Sequence, residues 1–233
     1  PWGQPSNFQT FYCANPPILN VPMAALNVSS NDTSNCRVNN GILKLTTRKV
    51  NNFVGECWSW VACNNDGDPQ CNGGNHRCTG TCWHIENLNF KFTTAMLYST
   101  YKFRYGYFEM RFKLPPLPPS PKTYEGHGGT FWFWESDTIA DWSEIDVFEI
   151  NAYNPDNSTY YNAGPATHYR ETQGGTAYED WSNYTNFSPD TWYTIGVNWT
   201  SKVIEFYING VKQYTSYNHP DLLRPMPIII NLG

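Results

Sequence analysis

Charge is scarce in this chain of 233 residues: only 15 % of positions are Asp, Glu, Lys or Arg. The net charge is −5, and no run of Lys and Arg occurs. Binding to a phosphate backbone needs clustered cations, so nucleic acid is excluded as an expected partner. Long apolar runs are missing too. The longest near the end, Ile228-Ile229-Ile230, falls far short of the roughly 18–20 residues that span a bilayer, so no membrane association is expected. No segment longer than about ten residues shows a helical period of 3.6, and no internal repeat or low-complexity tail appears. No leader precedes Pro1, which reads as the start of a mature form.

Aromatic rings, by contrast, are abundant at 17 %, with 10 Trp and 16 Tyr. Flat rings offer large contact area with few rotors to freeze, which suits both a sandwich core and a sugar-binding surface. Hydrophobic residues make up 40 %, enough for one core, and chains of about 200–250 residues often form a single all-β domain. One domain over 1–233 is therefore expected, and, with no partner signal in the sequence, a monomer.

The cysteines are Cys13, Cys36, Cys57, Cys63, Cys71, Cys78 and Cys82, all in the first third. A Gly/Asn/Asp-rich stretch around 55–84 holds five of them and reads as a stapled insertion. Zinc is the competing reading, but a paired C-x₂-C is lacking. Disulfides in an oxidising, secretory environment are favoured, and the odd count leaves one thiol free or paired outside this sequence. Asn-x-Ser/Thr sequons start at Asn27, Asn31, Asn157, Asn183, Asn186 and Asn198. They fit a secreted glycoprotein, although chance alone supplies roughly four in a chain so rich in Asn, Ser and Thr.

Strand signals dominate. Asn40-Gly41 precedes alternating residues at 42–47, a turn followed by a strand, and residues 96–113 alternate around Tyr105 to Phe112. The proline-rich run from Leu114 to Pro121 excludes helix and central strand, and predicts a stiff surface connection. Residues 130–135 and 144–150 read as two core strands. Residues 192–199 and 203–208 read as a hairpin pair, and Asn209-Gly210 as another tight turn. The expected architecture is all-β, a double-sheet sandwich.

Within that frame one strand stands out: Glu144-Ile145-Asp146-Val147-Phe148-Glu149. Residues two apart share a face of a strand, so Glu144 and Asp146 point the same way, together with Trp142. Glu149 is out of phase unless a β-bulge at Val147-Phe148 absorbs one residue. Crowded carboxylates raise one another's proton affinity, so that one stays neutral while another is ionised. Retaining glycosidic cleavage uses such a pair about 5–5.5 Å apart. The bland alternative is a solvated acidic face or a calcium site. Trp132, Trp134 and Trp142 border these strands and shift the balance toward a sugar-binding groove.

This strand resembles the Glu-x-Asp-x-x-Glu signature of glycoside hydrolase family 16 in its bulged branch. The similarity extends to Val38–Thr46, to Tyr105–Arg111, to Phe131-Trp132, to Trp192–Trp199 and to Phe206–Gly210, in family order. The resemblance implies a jelly-roll β-sandwich of two antiparallel sheets with a concave cleft, and endo-acting hydrolysis of a β-linked polysaccharide with retention. It implies Glu144 as nucleophile, Glu149 as acid/base, Asp146 tuning the pair, and His168 facing the acid/base from the next strand. Trp132, Trp134, Trp142 and His168 are the expected substrate contacts. No cofactor is required, and a structural calcium is neither demanded nor excluded. A transglycosylase and a non-catalytic carbohydrate-recognition protein on the same fold are the alternatives.

Three departures accompany the likeness. The Cys-rich stretch is unusual for the family and lies where cleft loops are expected. The chain stops at Asn231-Leu232-Gly233, where members continue through closing strands, so those strands are expected to be missing here. Ala140-Asp141-Trp142-Ser143 lacks the Pro and Gly usual in the family's β-1,3-glucanases and is closer to enzymes of red-algal galactans. A sulfated polymer would call on Arg104, Arg170 or Lys122.

Overall fold

Residues 106–113, Gly-Tyr-Phe-Glu-Met-Arg-Phe-Lys, alternate rings with charges. In the computed structural model they form a strand that turns Phe108, Met110 and Phe112 inward and exposes Tyr107, Glu109, Arg111 and Lys113. A period of two is the mark of a half-buried strand. The structure describes residues 2–3, 25–27, 35–62, 81–116, 129–138, 141–151, 161–170, 178–182, 185–221 and 223–232. Every regular element among them is a strand, β1 to β17 in chain order. No helix there is long and apolar enough to cross a membrane. The chain divides into one unit of Pro1–Gly3 with Met96–Asn231, and a second of Gln4–Ala95 with Leu232–Gly233.

The first unit holds two antiparallel sheets. The larger runs β1 (Trp2–Gly3), β7 (Met96–Phe103), β17 (Met226–Leu232), β9 (Gly129–Thr138), β10 (Asp141–Asn151), β11 (Tyr161–Arg170) and β12 (Tyr178–Trp181), and β13 (Thr185–Phe187) also pairs with β11. The smaller runs β16 (Val211–Ser216), β15 (Ile204–Ile208), β14 (Trp192–Trp199) and β8 (Gly106–Lys113). Their inner faces meet in one core. Phe131, Phe133, Ile145, Val147, Phe148 and Ile150 come from the larger sheet, and Ile195, Val197, Trp199, Ile204 and Phe206 from the smaller. The rings interlock across the layers, Phe108 with Phe133 at 5.0 Å, Phe133 with Trp199 at 6.3 Å and Phe112 with Phe148 at 4.5 Å between centroids. Each such buried side chain stabilises the unit by about 1.5–3 kcal/mol. This is the double-sheet sandwich that the alternating strands predict, and the jelly roll that the family resemblance implies.

Local chemistry sets the registers. Asn209 and Gly210 have φ of 50° and 75°, the left-handed pair of a two-residue hairpin turn between β15 and β16. Gly196 is required for a different reason: a Cβ there would lie 2.8 Å from the Tyr107 hydroxyl and 3.2 Å from the Phe108 carbonyl.

Some expectations need correction. Residues 96–113 are two strands in different sheets, β7 and β8, because the chain leaves one layer for the other at Arg104-Tyr105. The proline-rich connection starts in the core: Leu114 is buried, and its carbonyl accepts a hydrogen bond from the Asp190 N–H at 2.9 Å. The rest of that run, from residue 117, lies outside the described residues.

The second unit contains a hairpin of β3 (Cys36–Asn39) and β4 (Ile42–Leu45), turned at Asn40-Gly41 with φ of 50° and 74°. It also contains a ladder of β2 (Ala25–Asn27), β6 (Thr81–Thr94) and β5 (Arg48–Ala62). The two ends of the expected Cys-rich stretch, 55–62 and 81–84, are strand: Cys57 lies opposite Glu86 and Cys82 opposite Val61. Cys63, Cys71 and Cys78 lie outside the described residues, as does Cys13. Among the described residues Cys36 has no disulfide partner, and burial raises the pKa of its thiol.

Candidate active site on the central strand

Strand β10 begins with strict alternation. Ser143 and Ile145 are wholly buried toward the core, while Trp142 and Glu144 face the opposite side. Then two consecutive residues, Val147 and Phe148, both turn inward. Against β9, Asp146 pairs with Trp132 and Phe148 with Phe131, two residues advancing against one. Against β11, Asp146 pairs with Ala166 and Glu149 with Gly164, three against two. The surplus residue is a β-bulge, and it returns Glu149 to the face of Glu144 and Asp146. Burying both Val147 and Phe148 is what makes the bulge favourable.

Neighbouring strands complete the face. Trp134 stands opposite Glu144 and Trp132 opposite Asp146 on β9, and His168 stands opposite Glu144 on β11. His168 Nε2 lies 3.3 Å from Asp146 Oδ2, and its ring centroid is 6.0 Å from that of Trp142. The seven residues singled out in the sequence thus share one side of the larger sheet. Of the basic candidates, Arg104 is engaged elsewhere, donating to the Asp221 carbonyl at 2.7 Å and stacking over Tyr105. Lys122 and the Arg170 side chain lie outside the described residues.

Three further residues escaped the sequence reading. Asn231 on β17 accepts hydrogen bonds at Oδ1 from Trp132 Nε1, at 2.8 Å, and from the Thr130 hydroxyl, which fixes the Trp132 ring. On β12, Glu179 stands opposite His168 and Trp181 opposite Ala166. The Trp181 ring meets His168 edge-on at 5.2 Å and helps line an open pocket of about 290 Å³ with Glu149, Gly164, Pro165, Ala166 and Ser182. The alternation Tyr178-Glu179-Asp180-Trp181 carries this information, but four residues are too few for a period to declare itself.

Electrostatics bind the carboxyls into one titrating group. Burial, then the charges of Asp146, Glu149 and Glu179, push Glu144 up to about 9. Burial also raises Asp146, against the hydrogen bond and charge of His168. Glu149 is raised by burial and by Asp146, less the effect of His168. For His168 burial acts downward, but the hydrogen bond and charge of Asp146, with the charges of Glu179 and Glu149, outweigh it and the net shift is upward. Protons here belong to the cluster rather than to one carboxyl. Carboxyls with raised, mutually dependent proton affinities on one face are suited to acid–base and nucleophilic work on a glycosidic bond. Among the described residues no group of His, Cys, Asp and Glu could hold a metal ion.

Comparison with known proteins gives a consistent picture. The profile of the family "Glycosyl hydrolases family 16" matches residues 25–232. The endo-1,3-1,4-beta-glycanase EglC of Rhizobium meliloti (strain 1021) is 29 % identical over 152 residues, 64 % of this chain and 29 % of that protein. The chain therefore matches about three tenths of the length of this curated relative. In fold, the chain is similar to the kappa-carrageenase of Pseudoalteromonas carrageenovora bound to an oligotetrasaccharide of kappa-carrageenan. The TM-score is 0.55 at 20 % identity, covering 87 % of this chain and 70 % of that one. LamA of Z. galactanivorans, in complex with laminaritriose and laminaritetraose, gives a TM-score of 0.55 at 18 % identity, covering 97 % and 74 %.

Proposed function

The chain belongs to family 16 of the glycosyl hydrolases, and from that premise we propose that it is an endo-acting, retaining hydrolase of a β-linked polysaccharide. The observation that carries this reading is the bulged strand β10, which sets Glu144, Asp146 and Glu149 on one face between Trp132, Trp134 and His168. In the first step Glu149 protonates the leaving glycosidic oxygen while Glu144 attacks the anomeric carbon, giving a glycosyl ester. In the second, Glu149 takes a proton from water, which displaces Glu144 and restores the original configuration.

The unliganded cluster favours a proton on Glu144, the group that must be ionised to attack. Asp146 lies between Glu144 and Glu149 along the face and is itself pushed toward neutrality by burial. His168 beside Asp146 opposes that push, so the cluster as a whole, rather than Glu144 alone, decides which carboxyl is ionised. Trp132, Trp134 and Trp142 supply flat surfaces for sugar rings.

The relatives' names point to a 1,3-1,4-beta-glycan, to kappa-carrageenan and to laminari-oligosaccharides, and we assign the chain to the β-1,3-glucan or galactan type. A polymer of that size and the clustered cysteines both support a secreted protein. The test is incubation with laminarin, lichenan, agarose, porphyran and carrageenan, followed by measurement of new reducing ends and product lengths. Mid-chain products from one polymer support the proposal. Products longer than the substrate would indicate transglycosylation instead, and binding without cleavage a recognition protein.

A further inference from the structure

We propose that Glu179 is a positioning residue, clamping His168 from the side opposite Asp146 and so setting the state of the acid/base pair. The imidazole stands between two carboxylates, Nε2 at 3.3 Å from Asp146 Oδ2 and Nδ1 at 3.8 Å from Glu179 Oε1. The first contact comes from the central strand and the second from β12, where Glu179 is the direct cross-strand partner of His168. At 3.8 Å the second contact is an ion pair rather than a hydrogen bond. Its effect is the electrostatic support of a cation on the ring.

Glu179 is not an incidental surface acid, because its strand is anchored from behind. Asp180 points the other way, where Tyr214 Oη and Ser216 Oγ, the latter at 2.7 Å, both donate to it. Ser216 Oγ is also 3.0 Å from Thr167 Oγ1, with both residues fully buried. The Asn218 amide adds hydrogen bonds to the Thr167 and Tyr178 carbonyls. With Asp180 fixed inward, alternation directs Glu179 and Trp181 toward His168.

Among the described residues, the groups facing His168 are Trp142, Glu144, Asp146 and Glu149 from β10, and Glu179 and Trp181 from β12. Apart from Glu179, every carboxylate among them belongs to the reacting cluster. Among the described residues, Glu179 is thus the one charge that can hold the imidazole as a cation without taking part in bond making. A cationic His168 in turn orients Asp146 and keeps the proton inventory of the cluster fixed. This inference rests on the hydrolase reading only for its kinetic consequence, since the clamp itself is a property of the unliganded chain.

The experiment compares the intact chain with Glu179→Gln and Glu179→Asp, following the His168 imidazole by NMR during pH titration. His168→Gln identifies its signal among the 5 histidines. The expected result is a lower His168 midpoint in Glu179→Gln and near-recovery in Glu179→Asp. On the polymer that is cut, kcat should fall about two- to fivefold on the alkaline side with KM unchanged, the range for a partly exposed ion pair. In a His168→Gln background, Glu179→Gln should cause no further loss. An unchanged His168 midpoint, or a loss that persists without His168, would overturn the proposal. If the wild-type chain cuts no polymer, the hydrolase reading fails while the titration still decides the clamp.

Discussion

At Glu144 every influence acts in one direction: burial and the charges of Asp146, Glu149 and Glu179 carry its pKa from 4.5 to about 9. The folded chain therefore keeps a proton that the unfolded chain has released over that window. The stability this contributes is fully present below about pH 4.5 and is lost as pH rises toward about 9. Glu144→Gln removes the titration, so the variant should melt above the wild type by a margin that widens with pH through the window. Each kcal/mol of relief corresponds to about 2–4 °C at this chain length, and melting curves at several pH values measure it. The same substitution should reduce turnover by roughly a thousandfold or more while leaving polysaccharide binding intact. Glu149→Gln should slow polymer cleavage about a hundred- to ten-thousandfold. It should slow an aryl glycoside far less, because that leaving group needs no proton. In the proposed roles Glu144 acts ionised and Glu149 protonated, so wild-type activity should rise as the cluster gives up its first proton and fall as it gives up the proton of Glu149, with binding unaffected. The acidic residues were legible in the sequence because their spacing has a direct geometric meaning. Glu179 and Asn231 were not, because each acquires its role from a cross-strand neighbour far away in the chain.

Strand β10 shows how one element converts spacing into chemistry. Its sequence is out of phase by one residue, and the bulge predicted at Val147-Phe148 is present because both side chains find room in the core. Deleting Val147 would remove the surplus residue and turn Glu149 inward beneath the sheet. The expected outcome is loss of activity with at least partial retention of β-sheet signal, read by circular dichroism and reducing-end release. Hairpin turns were readable for a similar reason: Asn-Gly demands left-handed backbone at 40–41 and 209–210, and the chain adopts it. The division of residues 96–113 between two sheets was not readable. Strand alternation looks the same whichever layer a strand joins, and the change of layer depends on partners as distant as β14 and β17.

Across the molecule, the abundance of rings has two destinations. Phe131, Phe133, Phe148, Phe187 and Trp199 fill the sandwich, whereas Trp132, Trp134 and Trp142 stay half-buried on the site face. Composition alone does not sort them; the parity of each position within its strand does. Trp199 is fully buried and donates its indole N–H to the Pro220 carbonyl at 3.2 Å. Trp199→Ala should cost about 3–5 kcal/mol, seen as a lower urea midpoint, with activity per folded molecule preserved because the residue lies on the core side. The Cys-rich segment was the least legible region, since cysteine spacing says nothing of the ladder between β5 and β6 that frames it.

The most direct test of the double-displacement account is a peptide map after acid quench of the chain mixed with a 2-deoxy-2-fluoro oligosaccharide of the polymer it cuts, bearing an activated leaving group. The account predicts a stable glycosyl adduct on Glu144. An adduct on Glu149 would invert the assigned roles, and turnover with no covalent adduct and an inverted first product would contradict the mechanism itself.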